Sequence, residues 1–136
     1  MAKKQAQGSN SVKKAVRELL APCSPEVRSL ALKARALVPD LILDAQEQID
    51  APAKLLGYGF GPKYADTICV IMLAKAWVTL GIYRATELPD PDHLLEGTGK
   101  VHRHVKLKTE KDVESPALRA LLEVALDAYR KRSGGS

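Results

Sequence analysis

The spacing of apolar residues changes twice along this chain of 136 residues, and no other feature restricts the fold as strongly. Before residue 39 and after residue 115, apolar side chains recur every three or four positions, which predicts amphipathic helices. Between residues 53 and 108 they mostly alternate with other side chains, which predicts strands joined by turns. Helices that flank strands predict an α+β fold, here a two-layer α/β sandwich. We expect an antiparallel or mixed sheet of about five strands, with the helices packed on one face.

Capping and turn residues set the expected ends of these elements. The first helix should begin at Ser11 and stop before Pro22. Ser24 is a suitable cap for the second helix, which should end at Pro39. Residues 41–50 favour a helical turn followed by a strand. The other predicted elements are strands at residues 53–60, 67–73, 77–84 and 101–108, a brief helix at 92–96 that ends at Gly97, and a last helix that Ser115 caps and Pro116 begins.

Length and composition predict a single domain. With 136 residues, 46% of them hydrophobic, the chain can bury one core but not a second of full size. No apolar run approaches the roughly 20 residues that cross a membrane, and no signal peptide is recognisable, so we expect a cytoplasmic protein without membrane contact. The domain should cover residues 11–132, with disordered tails at 1–10 and 133–136. Cys23 and Cys69 lie in unrelated segments, which favours two small core residues over a disulfide or zinc site.

The net charge of +5 is unevenly distributed. Residues 1–38 contain eight Lys+Arg against two Asp+Glu, residues 39–96 four against nine, and residues 97–136 nine against five. Much of the excess lies near the chain ends, where charged side chains are usually solvated. Tyr58, Trp77 and Tyr83 lie on strands with few basic neighbours, so we expect them to pack in the core rather than stack on a base or a flat ligand. We therefore do not expect nucleic acid as a partner.

The segment from residue 88 to 108 is the most informative for function. Two glycines beside a hydroxyl and a cation can place successive backbone amides around an anion. The spacing differs from that of a P-loop, which needs an earlier glycine and a following helix. A structural alternative is that the glycines only end a helix and turn the chain. The candidate anion-binding residues are Gly97, Thr98, Gly99, Lys100, Arg103, His104 and Lys106.

Arg103 is the most diagnostic residue of that segment. Alternation places it on the same strand face as the apolar residues Val105 and Leu107, so its charge needs a partner. Glu96, Asp90 and Glu87 are the candidates for a structural ion pair. The alternative is an arginine in a pocket wall that binds an anionic ligand.

A metal site and a catalytic centre receive less support from the sequence. His102 and His104 share a strand face and lie within reach of one metal ion. Lys106 and Lys108 on that face would repel a cation, so a solvated histidine pair is expected. Neither cysteine has a histidine neighbour in sequence, and Asp90 is expected to act with Asp92 as a helix-start charge. We therefore expect no enzyme.

Three blocks of sequence carry a family resemblance. They are LLGYGFGP at residues 55–62, VTLGIYRATELPDPDHLLEGTGK at 78–100, and HRHVKLKT from residue 102. Together they resemble the YdhG-like family of small bacterial domains of unknown function, over residues 26–125. The resemblance implies a compact α/β sandwich related in shape to frataxin. Some members of the family are described as frataxin-like intracellular iron chaperones.

Iron binding of the frataxin type uses an acidic ridge, whereas the first helices of this chain are basic. The sequence therefore favours a non-enzymatic binding module without a cofactor, a monomer or weak dimer that binds a small anionic ligand or a protein partner. The alternative is an iron chaperone, because hard iron ions prefer clustered carboxylates. Its candidate ligands are Asp40, Asp44, Glu47 and Asp50, with His102 and His104.

Overall fold

The computed structural model describes residues 10–61 and 63–133, with the backbone alone at residue 64. Residues 1–9 and 134–136, which make up most of the two predicted tails, lie outside the described residues. Within the described part, α-helices and strands follow in the order α1 (Asn10–Leu20), α2 (Pro25–Leu41), β1 (Gln46–Asp50), β2 (Leu55–Gly59), β3 (Thr67–Leu73), β4 (Val78–Ile82), β5 (Arg103–Leu107), α3 (Glu110–Glu114) and α4 (Pro116–Ser133). Asn10 and Ser133 are thus helical, one residue beyond each predicted domain end.

The five strands form one sheet in the order β1-β2-β3-β4-β5, and every neighbouring pair is antiparallel. Leu56, Ile71, Leu80 and Val105 lie in one row across four strands, all buried. Buried residues of α1, α2, α3 and α4 belong to the same apolar cluster as this face of the sheet. The predicted α+β sandwich, with an antiparallel sheet and helices on one face, is confirmed. No helix in the described ranges is long and apolar enough to span a membrane.

The sequence predicted that the second helix ends at Pro39, but the helix is longer. α2 continues to Leu41, and the amide of Ile42 donates to the carbonyl of Val38 at 2.7 Å. A proline inside a helix removes the bond that its own amide would donate to the residue four positions earlier. Because Pro39 lies in the last turn, the loss is confined to one bond near the helix end.

The helix predicted at residues 92–96 is absent. The Asp90 carboxylate accepts the amides of Leu94 and Leu95 at 2.9 Å each, as a cap would, but no helical turn follows. Glu96 instead pairs with His104 in an isolated antiparallel bridge. Pairing with a distant strand has overridden the local helical pattern.

The sequence also did not predict α3. The Thr109 hydroxyl accepts the amide of Asp112, while the Asp112 carboxylate accepts the amide of Thr109, which completes a capping box. Val113 is the one buried residue of this helix. A single apolar position in five residues leaves no period to recognise.

Candidate functional site

The glycine-rich segment forms a closed hairpin rather than a helix end. Glu96 and His104 exchange both backbone hydrogen bonds, at 2.7 and 3.2 Å, so the chain from 97 to 103 leaves and returns at one point. We call residues 96–104 the glycine hairpin. Gly97 has φ +109°, in the region that favours glycine, and a Cβ there would lie 3.1 Å from the His104 ring. This position therefore requires glycine.

The hairpin tip presents unused hydrogen-bond donors. Gly97, Thr98, Gly99 and Lys100 are exposed, and their amides donate to no protein group in the described part of the chain. The tip is held in place through Thr86, whose hydroxyl donates to the Lys100 carbonyl at 3.0 Å. A fixed run of free amides is the arrangement that the sequence predicted for an anion site.

Arg103 lies beneath this tip, at the start of β5. Its side chain is half-buried, and its Nε donates to the carbonyl of Gly99 at 2.6 Å. None of the described carboxylates forms an ion pair with it. The arginine thus closes the hairpin through a neutral carbonyl, while its charge stays without an acidic partner among the described residues.

The three carboxylates proposed as partners of this arginine make other contacts. Glu96 lies 4.0 Å from the Nζ of Lys106. Glu87 accepts a hydrogen bond from the guanidinium of Arg84. Asp90 is occupied by two backbone amides. The structural ion pair expected from the sequence is therefore absent among the described residues.

The remaining two candidates, His104 and Lys106, lie on the sheet face that the helices leave open. The His104 ring packs against Gly97, so it supports the hairpin. The Nζ of Lys106 lies 5.0 Å from the centre of the Trp77 ring, an exposed-face cation–π contact. Trp77 is half-buried on this face and not in the core, contrary to the prediction. Of the aromatic residues expected in the core, Tyr58 is confirmed, at 2% exposure.

A cavity of about 580 Å³ lies beside the hairpin, between the end of the sheet and the end of α4. We call it the Tyr83 cavity. The rings of Tyr83 and His102 stack on its wall, with centroids 4.5 Å apart. The amide of Arg84 donates to Nδ1 of His102 at 2.9 Å, which fixes the orientation of that ring. Arg84 and Arg132 are the two arginines of the lining, and the guanidinium of Arg132 lies over the ring of Tyr129.

Sequence reasoning missed this cavity, apart from His102. Its lining comes from the residues around the start of β3, from the two residues that follow β4, from the glycine hairpin and from α4, which are far apart in the chain. The adjacent pair Tyr83-Arg84 was the available signal, but only the fold brings Arg132 next to it. Tyr83 therefore lies in a cavity wall and not in the core.

The predicted metal ligands are dispersed. Asp40, Asp44 and Asp50 are exposed on the end of α2, in the following turn and on β1. Glu47 points inward, and its side chain is only 2% exposed. In the described ranges, no three His, Cys, Asp or Glu side chains lie close enough to share a metal ion.

Glu47 belongs instead to a buried polar cluster that the sequence did not reveal. Arg35 donates to its two carboxylate oxygens at 2.8 and 2.9 Å, and the Tyr58 hydroxyl donates to one of them at 2.6 Å. Burial, and next the adjacent Glu47 charge, raise the pKa of Tyr58, while the hydrogen bond to Glu47 raises the pKa of Arg35. The cluster joins α2 to β1 and β2.

Comparison with known proteins adds no assignment. No family model, no curated protein and no solved structure matches this chain. The resemblance to the YdhG-like family, with its frataxin-like shape, stays a prediction.

Proposed function

We propose that this protein is a non-enzymatic binding domain that holds a small ligand through an anionic group. The site is the sheet end where the glycine hairpin adjoins the Tyr83 cavity. One observation supports this most strongly: four unused amides of the hairpin lie beside Arg103, a guanidinium that no described carboxylate neutralises.

The donors at the hairpin favour a carboxylate or a phosphate group. Backbone amides and a guanidinium both make short, charge-assisted hydrogen bonds to an anionic oxygen. Two such bonds contribute about 3–6 kcal/mol before the cost of ordering the ligand. If about 4 kcal/mol of this is left once the ligand has been ordered, a small anion alone binds with a Kd on the order of 1 mM.

The Tyr83 cavity offers room for the rest of the ligand. Its volume of about 580 Å³ lies within the range of roughly 300–1,000 Å³ that is usual for small-molecule sites. Val101 and His102 belong both to the hairpin and to the cavity lining, so one ligand can contact both. The Tyr83 and His102 rings provide a flat wall. We therefore favour a ligand with a flat apolar group and one anionic group.

Binding explains the site better than catalysis or iron transfer does. Nδ1 of His102 is already engaged by a backbone amide, so it is not free to accept a proton from a substrate. Both carboxylate oxygens of Glu47 accept hydrogen bonds from Arg35 or Tyr58, and the side chain is buried, so one proposed iron ligand is withdrawn from solvent. The proposed ligands Asp40, Asp44 and Asp50 are left as separate surface carboxylates.

The proposal is tested by calorimetry with phenyl phosphate, benzoate and inorganic phosphate. We expect phenyl phosphate to bind more tightly than inorganic phosphate, since only phenyl phosphate fills the cavity. Arg103→Gln should weaken phenyl phosphate roughly tenfold, the cost of one charge-assisted bond. Arg119→Gln, an exposed arginine of α4, is the matched control and should leave binding unchanged. Absence of binding by all three anions, or equal weakening by both variants, would contradict the proposal.

A further inference from the structure

A second cavity lies at the opposite end of the sheet, below the corner between α1 and α2. We call it the corner cavity. Apolar wall residues come from α1 (Leu19), from β1 (Ile49) and from β3 (Leu73), and the half-buried Cys23 lies at the corner itself. Its volume is about 850 Å³, again within the range of roughly 300–1,000 Å³ for small-molecule sites. Leu73 pairs with the start of β4 whereas Arg103 pairs with its end, so the two sites are separate.

The rim of the corner cavity is cationic. Lys54 lies in the turn between β1 and β2, and Lys75 in the turn between β3 and β4. These turns adjoin, because the amide of Leu73 donates to the Lys54 carbonyl at 3.1 Å. Both lysines are exposed, and neither forms an ion pair within residues 10–61 and 63–133. Glu18 of α1 is the one acidic residue of the lining, against two lysines.

An apolar wall below a cationic rim matches a ligand with an apolar body and an anionic head. We infer that the corner cavity binds an amphipathic carboxylate with an unbranched alkyl chain, of the size of decanoate. The alkyl chain contacts Leu19, Ile49 and Leu73, and the carboxylate lies near Lys54 and Lys75. Flexible lysines suit this role, because they act as point charges and do not require one fixed geometry.

The chain's own amino-terminal residues fit the corner cavity poorly. Residues 1–9 contain Lys3 and Lys4 and no acidic residue, so they would bring like charge to the lysine rim. Their composition is also mostly polar, whereas the wall is apolar. A free amphipathic anion satisfies both the rim and the wall.

Cys23 provides a reporter that needs no label. It is a free, half-buried thiol in the lining, whereas Cys69 is fully buried. Burial raises the pKa of the Cys69 thiol to about 12, so this thiol stays neutral and unreactive near neutral pH. Alkylation of the folded protein by iodoacetamide therefore reports on Cys23 alone.

The experiment measures the rate of Cys23 alkylation in the full chain, with and without decanoate. We expect decanoate to slow the reaction several-fold in a saturable manner, and hexanoate to require a higher concentration because its alkyl chain is shorter. Unchanged alkylation at high decanoate would overturn the inference. The inference would be overturned equally if the rate were unchanged because residues 1–9, and not a free ligand, cover the thiol. Protection by vesicles of anionic lipid without protection by free decanoate would overturn it too, since the occupant would then be a membrane surface.

Variants separate the rim from the wall. Lys54→Gln/Lys75→Gln should weaken decanoate roughly fivefold, the loss of two exposed charge interactions. The same variant should leave protection by uncharged decanol unchanged. Lys108→Gln/Lys111→Gln removes equal charge outside the lining and serves as the control; equal weakening there would overturn the inference. Ala15→Trp, which fills the cavity from α1, should abolish protection while the circular dichroism spectrum is retained.

Failure of this inference is distinguishable from failure of the proposed function. Arg103→Gln at the opposite sheet end should leave the decanoate titration unchanged. The phenyl phosphate titration should likewise be unaffected by Lys54→Gln/Lys75→Gln. If either variant lost the binding of both phenyl phosphate and decanoate, the assignment of two separate sites would be contradicted.

Discussion

Replacing Arg35 by methionine should leave the buried carboxylate of Glu47 without its counter-ion. The Glu47 side chain is 2% exposed and that of Arg35 13%, and two hydrogen bonds at 2.8 and 2.9 Å join them. Removing one partner of such a pair costs about 3–5 kcal/mol, because the other charge remains in a poorly solvated place. Methionine keeps most of the apolar stem of the arginine, so the loss measures the charge rather than the packing. This cost is a large part of the roughly 5–15 kcal/mol that stabilises a typical domain.

Two further variants separate the contributions within the buried cluster of Arg35, Glu47 and Tyr58, which we call the Glu47 cluster. Tyr58→Phe retains the ion pair and removes one hydrogen bond to a charged group, which should cost about 1.5–3 kcal/mol. Arg35→Met/Glu47→Gln contains no buried charge, and the new amide oxygen can still accept the Tyr58 hydroxyl. We therefore expect this double variant to be more stable than Arg35→Met alone, with a coupling energy of about 2 kcal/mol.

Urea unfolding followed by circular dichroism measures these differences, provided that the transition is two-state. The Arg35→Met loss corresponds to a decrease in Tm of about 10–20 °C for a domain of this size. A loss below about 1 kcal/mol, or the same loss with and without Glu47→Gln, would refute the assignment of a coupled buried pair.

Three other predictions concern single groups. Gly59→Ala should lower the unfolding free energy by about 2 kcal/mol or more, because the new Cβ would overlap the Asp66 carbonyl. Gly57→Ala, where the nearest atom to the new Cβ is at 3.6 Å, should change the unfolding free energy by under about 0.5 kcal/mol. Equal losses in the two variants would contradict this. Burial raises the pKa of Cys69 from 9.0 to about 12, so the contribution of its neutral thiol to the free energy of unfolding is fully present below pH 9. That contribution decreases as the pH rises towards 12, because the thiol ionises first in the unfolded chain. Cys69→Ala should make the alkaline decrease shallower, and an unchanged slope would argue against a buried neutral thiol. Anaerobic calorimetry with ferrous iron should give neither heat nor stabilisation; saturable heat that Asp40→Asn/Asp44→Asn abolishes would favour the iron chaperone instead.

The strands were predictable because alternation is a local property. The two faces of β5 follow from alternation alone, and the structure places Val105 and Leu107 in the core and His104 on the opposite face, as predicted. The errors occur where a distant partner decides the local structure. Residues 92–96 have a helix-start residue in Asp90, yet Glu96 pairs with β5.

The candidate site was predictable only in part, for the same reason. The glycine spacing indicated a loop with free amides, and Arg103 was recognised as needing a partner. In the structure its Nε donates to Gly99, while Glu96 and Glu87 pair with other basic side chains. These contacts depend on side-chain geometry, which the spacing of residues in the sequence does not encode. The Tyr83 cavity and the Glu47 cluster both join segments brought together only by folding.

Amide NMR during a phenyl phosphate titration tests the central claim most directly. We predict saturable shifts concentrated at residues 97–103 and at Tyr83, with a fitted Kd lower than that for inorganic phosphate. Amides that line the corner cavity, such as that of Leu73, should not move. Absence of shifts at residues 97–103, or small non-saturating shifts spread over all exposed cationic residues, would contradict a specific anion site at the glycine hairpin.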